Sequence, residues 1–357
     1  MARLSDHTIF LAQSDTNQEK LLRGAMVAVG MSVNVLSHEQ SLPAQIEALR
    51  YAQHAHPVLV VDLASLAAEG NGPDVVLTHL NERFPKLRVI ATLSDRLVIF
   101  PDEAAWVKSY RAVGLFPQAS HLRVEETLCP LLAAIINASD SDAVLDIERI
   151  STTLRVLNAE IEQSPVMAEA HATLIKLKAI GMPLEKLLAS ISETGGFDVR
   201  PRSYRLKHYG NCFVGSEAVD VLERLTGRSR ATSCAIGRLL HTMGVFYHVA
   251  REHGFEDANF FYRFSLRTDH LRALKLKDVM FAIRSRDGFK VKDRTYRGKS
   301  FPHCFVGSEA AGWLQEKFEL TQTESISLGQ TLLRLHVIRH VVDEHEFIDQ
   351  NYFYRFA

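Results

Sequence analysis

Cysteine and tryptophan are scarce in this 357-residue chain, at four and two residues. The four cysteines (Cys129, Cys212, Cys234, Cys304) are too few and too scattered for a disulfide scaffold or a CxxC metal knuckle. No run of 18 apolar residues occurs, and the start MARLSDHTIFLAQSD carries charge where a signal peptide needs an apolar stretch. The expectation is a cytoplasmic protein, at most peripheral at the inner membrane surface. An excess of one charge is also missing. The 41 Lys+Arg against 42 Asp+Glu leave a net charge of −1, which argues against nucleic-acid binding by bulk charge and leaves only a local basic patch open. No P-loop, GxSxG or dinucleotide-binding glycine pattern follows a strand. No catalytic residue, metal site or cofactor is therefore expected, and the chain does not read as an enzyme. What is present is ordinary globular composition, 46% hydrophobic and 23% charged, at a length that predicts two or three domains.

An internal repeat organises the second half. Residues 199–264 and 291–356 align without a gap at an offset of 92, with 28 identities over 66 pairs. Each copy reads as a helix ended by Gly196 or Gly288, a basic β-prone arm (VRPRSYRLKHY, VKDRTYRGKSF), two helices and two short closing strands. Gly215 and Gly307 mark a turn, and Ser216 and Ser308 stand where an N-cap belongs. The strings FVGSEA and EHxFxDxNxFYRF, present twice with the same internal spacing, resemble the DEP domain. That resemblance implies an α+β winged-helix fold without catalytic activity, used for protein docking and for targeting to anionic membranes.

Ahead of the repeat, TIFLAQ, SVNVLS, PVLVVDLAS, RVIATLS and AVGLFP read as five strands separated by helical stretches, which indicates a parallel sheet covered on both faces. The pattern resembles a response-regulator receiver domain, flavodoxin-like α/β, in which Asp62 occupies the phospho-acceptor position. The resemblance also implies an acidic pair and a lysine, yet those positions read Ala12-Gln13 and Phe116-Pro117-Gln118, with Asp15 as a displaced carboxylate. Thr92 matches the switch hydroxyl. Phosphoryl transfer needs a divalent cation held by several oxygens, so the domain is expected to be a pseudo-receiver. The expected boundaries are 1–139 for this domain, 140–180 for a helical connector, and 181–266 and 270–357 for the two DEP-like domains.

In the connector, Ile147, Ile150, Leu154, Leu157 and Ile161 fall at spacings of 3, 4, 3 and 4, a heptad seam suited to a homodimer or to packing on the chain's own domains. The basic arms supply a candidate docking patch: Arg200, Arg202, Arg205 and Lys207 in copy one, and Lys292, Arg294, Arg297 and Lys299 in copy two. Such clusters attract anionic lipid. With 10 basic and 6 acidic residues against 8 and 9, copy one is the more basic window. The helices in the DNA-reading position, SCAIGRLLHTM and SISLGQTLLRLH, carry one arginine each, too few for a major-groove reader. His248, His253, His340 and His345 straddle a strand and a turn, which suits structural rings better than metal ligands. The expected function is a signalling adaptor that docks to unidentified proteins or to anionic membrane. The alternatives are a regulator switched by phosphorylation of Asp62, and a winged-helix DNA-binding regulator.

Overall fold

A computed structural model describes residues 8–37, 40–49, 56–67, 71–157, 165–193, 195–204, 207–250, 253–265, 271, 273–342 and 346–357. The chain forms two compact units, one of residues 1–161 with 266–357 and the other of residues 162–265.

In the first unit, β1 (Thr8–Ala12), β2 (Ser32–Val35), β3 (Val58–Asp62), β4 (Arg88–Thr92) and β5 (Leu115–Phe116) form a parallel sheet in the order β2-β1-β3-β4-β5. This is the doubly wound flavodoxin order, and ligand sites in such sheets lie beyond the carboxyl ends of the strands. Alternation along each strand fills two cores. Ile9, Leu11, Val58, Val60 and Ile90 face α1 (Thr16–Ala28) and α6 (Cys129–Ser139). Phe10, Leu59, Val61, Val89 and Ala91 face the other side, with Leu77 and Leu80 of α4 (Pro73–Arg83) and Val107 of α5 (Pro101–Ser109). Between these lie α2 (Leu42–Ala48), the short α3 (Leu63–Ala67) and a π-helical turn at Val124–Leu128 that runs into α6. Asp15 starts α1 by accepting the Asn17 and Gln18 amides at 2.8 and 2.9 Å.

The connector is two helices, not a free rod. Ile150 and Leu154 of α7 (Ile147–Leu157) are 0% and 1% exposed and belong to the core that holds Leu21, Leu22 and Ala25 of α1. Leu157 packs on the same core, Ile147 is exposed, and Ile161 lies outside the described residues. Of the expected seam, Ile150 and Leu154 are covered by the chain's own α1, so these two side chains are not available to a second copy. The second helix, α8 (Pro165–Ala179), packs on copy one within the other unit.

The two repeats share one plan. Copy one runs α9 (Leu184–Ser192), β6 (Arg200–Tyr204), β7 (Lys207–Val214), α10 (Gly215–Thr226), α11 (Arg230–Thr242), β8 (Phe246–His248) and β9 (Phe261–Phe264). Copy two runs α12 (Leu276–Arg284), β10 (Lys292–Tyr296), β11 (Lys299–Val306), α13 (Gly307–Phe318), α14 (Gln322–Arg334), β12 (Ile338–His340) and β13 (Phe353–Phe356). The antiparallel sheets have equivalent orders, β6-β7-β9-β8 and β10-β11-β13-β12. Aromatic packing fills copy one: Phe213 lies between 4.7 and 5.9 Å, centroid to centroid, from Phe197, Phe246, Phe264 and Tyr262.

The repeated strings have physical reasons. Contrary to expectation, Ser216 does not cap α10, which starts at Gly215 after Val214. Its first two amides, of Gly215 and Ser216, instead donate to the carbonyls of Phe260 and Ala258 at 2.9 and 3.0 Å, and the Ser216 hydroxyl meets Asn259. Copy two repeats this with Gly307 to Tyr352, Ser308 to Gln350, and the Ser308 hydroxyl to Asn351. The tyrosine of FYRF pins the same loop. The Tyr262 hydroxyl donates to Gly254 O and accepts from the Glu256 amide, and Tyr354 does so with Glu346 and Ile348. Burial pushes the Tyr262 hydroxyl up to about 12, so it remains a donor.

The copies differ at the end of the helix that follows the hairpin. Helix α10 ends on Gly227 at φ 63°, whereas α13 ends on Glu319 at φ 54°, a left-handed backbone that a Cβ makes costly. Glu319→Gly is expected to stabilise the first unit by about 0.5–1 kcal/mol. The urea midpoint followed by Trp313 fluorescence checks this, and a midpoint that falls rejects it.

Candidate docking surfaces and the carboxylate pocket

Asp62 ends β3 opposite Thr92 of β4 and is fully buried. Its Oδ1 accepts the Ser94 amide at 3.1 Å, and Oδ2 accepts the Ser94 hydroxyl at 3.1 Å together with the Ser14 hydroxyl. Gln13 and Thr92 complete the pocket through a hydrogen bond of 3.1 Å from Gln13 Nε2. Burial pushes the Asp62 carboxyl above its ordinary value, while the Ser14 hydroxyl, the Ser94 groups and the charge of His336 pull it partly back.

These residues do not fit a divalent cation. The donors around Asp62 are hydroxyls and an amide, which supply protons to a carboxylate rather than further anionic oxygens to a metal. Asp15 is committed to the start of α1, and the expected lysine position reads Phe116-Pro117-Gln118, where the Gln118 backbone N–H donates to Arg96 O. Among the described residues no group of three or more His, Cys, Asp or Glu could hold a metal ion. Sequence reading missed Ser14, Ser94 and His336. Ser14 and Ser94 bond Asp62 across 48 and 32 residues, and the charge of His336 acts on it across 274, separations for which no local pattern exists.

The basic arms divide into tied and exposed cations. Arg202 is 11% exposed at its side chain; it bonds both Glu217 oxygens at 3.1 and 2.5 Å, Asp198 Oδ2 at 3.2 Å and the Cys212 carbonyl at 3.4 Å. Arg294 repeats the arrangement, to Glu309 at 2.8 Å and the Cys304 carbonyl at 2.6 Å. Both arginines, expected in the docking patch, therefore fasten the hairpin to the following helix. Arg200 faces Asp198 at 2.9 Å. Arg205 and the side chain of Lys207 lie outside the described residues. In copy two, Lys292, Arg297 and Lys299 are exposed along β10, β11 and their turn, with Arg297 resting 5.2 Å over the Tyr296 ring. Among the described arm residues, copy one exposes Arg200, paired with Asp198, and copy two exposes Lys292, Arg297 and Lys299.

The helices in the DNA-reading position are engaged inside the chain. Arg238 of α11 bonds Glu169 of α8 at 2.6 Å, and Arg334 of α14 is 16% exposed at its side chain. Cys212 and Cys304 are buried, and burial raises the Cys212 thiol, against the direction a nucleophile needs. His253 stacks on Phe260 at 4.7 Å, and His248 lies 5.2 Å from His253, ring against ring. His345 lies outside the described residues.

Residues 196–264 and 288–356 each match the family model described as the domain found in Dishevelled, Egl-10, and Pleckstrin (DEP). The vacuolar membrane-associated protein IML1 of Scheffersomyces stipitis is 40% identical over 88 residues, 24% of this chain and 6% of that one. The human phosphatidylinositol 3,4,5-trisphosphate-dependent Rac exchanger 2 protein is 40% identical over 80 residues, 22% of this chain and 5% of that one. The matches thus span a small fraction of these relatives. A solved structure of the Salmonella typhimurium RcsB response regulator aligns at 15% identity and a TM-score of 0.26, over 67% of this chain and 92% of that one.

Proposed function

We propose that this chain, whose residues 196–264 and 288–356 are DEP domains, is a non-catalytic signalling adaptor whose second DEP domain docks to anionic membrane. One observation carries the reading: the β10–β11 hairpin presents Lys292, Arg297 and Lys299 to solvent, while the conserved-by-repeat Arg294 is fastened beneath them. An exposed hairpin with three cations fits a surface of lipid phosphates better than it fits a groove. Attachment of this kind is peripheral; among the described residues no helix is long and apolar enough to cross a membrane. The names of the relatives, one vacuolar membrane-associated and one dependent on a phosphoinositide, agree with a membrane setting.

The test is co-sedimentation with vesicles containing phosphatidylserine. Each basic residue near an anionic surface contributes about 1 kcal/mol, so Lys292→Glu, Arg297→Glu and Lys299→Glu together should weaken binding by at least about 100-fold. Binding should also fall as salt rises. Sedimentation indifferent to both would reject the membrane reading and leave protein docking. Arg202→Glu and Arg294→Glu are unsuitable probes, because each would break the fastening of its own hairpin.

The Asp62 pocket is read as structural. Incubation with acetyl phosphate and Mg²⁺ should leave the chain unlabelled, and an acid-labile label lost in Asp62→Asn would restore the phosphorylation reading.

A further inference from the structure

The second repeat shares a continuous core with the receiver-like domain, running from Leu77, Leu80 and Val107 to Met280, Ile283 and Leu335. Charged contacts border that core. Arg284 of α12 forms a two-pronged pair with Asp74 of α4, Nε to Oδ2 and Nη2 to Oδ1, both at 3.0 Å; the Asp74 side chain is 7% exposed. The chain at Gly72 leaves room for this guanidinium, since a Cβ there would lie 2.2 Å from Nη2. Lys277 sits 4.9 Å over the Tyr110 ring and donates to Ser109 O at 3.3 Å. Arg334 approaches the buried Glu103 at 3.9 Å. His336 is the copy-two group whose charge bears on Asp62.

The repeat offset makes these four positions informative. Copy one has Glu185, Ser192, Thr242 and Gly244 where copy two has Lys277, Arg284, Arg334 and His336. Elsewhere the copies keep the same fastenings: Arg202 and Arg294, Glu217 and Glu309, Tyr262 and Tyr354. The copies thus keep their internal fastenings while they differ at the contacts with the receiver-like domain. At the last position the difference carries a cost as well. Gly244 turns at φ 70°, and His336 holds the same left-handed turn at φ 56° despite its Cβ. Such strain persists where something else holds the residue in place.

We infer that the face of the receiver-like domain formed by Asp74, Glu103 and Tyr110 is a DEP-binding surface, whose occupant is the second repeat of this chain, selected over the first by Lys277, Arg284, Arg334 and His336. The two repeats then have different work. The second is a latch on the receiver-like domain that also carries the exposed hairpin, and the first lacks the cations that would let it compete. The inference stands apart from the membrane reading, since the hairpin cations take no part in it.

Hydrogen exchange of the full chain, read on peptides from 73–83 and 101–109 with 307–318 as an internal control, tests it. Arg284→Glu should raise exchange at 73–83 and 101–109 about tenfold or more while 307–318 stays protected. Asp74→Arg together with Arg284→Glu should restore protection. Protection unchanged in the single variant, or not regained in the charge swap, overturns the inference. The milder pair Lys277→Gln and His336→Gly covers the case in which the reversal unfolds copy two. Glycine relieves the strained turn, so a merely local role for His336 predicts slower exchange throughout, whereas a latch predicts faster exchange at 101–109.

Discussion

Alanine in place of Gly307 is expected to destabilise the first unit by about 3 kcal/mol, combining overpacking with the loss of hydrogen bonds at a helix start. A Cβ at this position would stand 2.5 Å from Ile348 O, 2.8 Å from the Tyr354 ring and 3.1 Å from Gln350 O. Two of these atoms are backbone carbonyls, which cannot rotate away as a side chain can. The loop that would have to retreat also supplies the Tyr352 and Gln350 carbonyls to the first amides of α13. Moving it frees those donors and drags the Tyr354 hydroxyl off Glu346 and Ile348. Gly215→Ala should do the same in copy one, where the Cβ would lie 2.3 Å from Glu256 O.

The two variants are distinguishable because the chain's tryptophans are Trp106 and Trp313, both in the first unit. Gly307→Ala should shift the fluorescence-detected urea transition. Gly215→Ala should leave that transition in place and appear in far-ultraviolet circular dichroism. A loss below about 1 kcal/mol for either, the level of an ordinary surface change, would mean that the loop yields more easily than its contacts indicate.

These glycines also mark how far the sequence could be read. The repeat, the five parallel strands and the FVGSEA turn were legible because each rests on local pattern: offset, apolar runs, a glycine before an apolar helix. The role of Ser216 was misread because the acceptors of the helix amides, Ala258 and Phe260, lie more than 40 residues downstream. The connector heptad was a true apolar face, but periodicity states only that Ile150 and Leu154 are covered. That α1 covers them depends on the fold.

The basic arm shows a signal that was present and unused. Arg202 and Arg294 occur with Glu217 and Glu309, at the same separation of 15 in both copies. An acid repeated at a fixed distance from a repeated base is what a structural ion pair leaves behind, whereas a lipid-facing cluster needs no such partner. The latch contacts were not legible in this way. Differences such as Lys277 against Glu185 acquire meaning only once the surface opposite them is known.

At Asp62 the chemistry predicts two substitutions of opposite effect. Asp62→Ala should cost about 3 kcal/mol, because it strands the Ser94 amide and the hydroxyls of Ser14 and Ser94 around a vacated site. Asp62→Asn keeps an acceptor for the Ser94 amide, and both hydroxyls can turn to accept from its amide group. The difference between Asn and the native residue should depend on pH. Burial raises the folded-state carboxyl above its unfolded value of 3.8, so the folded chain binds more protons than the unfolded one in the interval above 3.8. Stability from this group is complete below that value and declines as pH rises through the folded value. Urea midpoints followed by tryptophan fluorescence should therefore favour Asp62→Asn near pH 7 and converge with the native chain near pH 4. The reverse slope would mean that the Ser14 and Ser94 donors and His336 outweigh burial and hold a stable carboxylate.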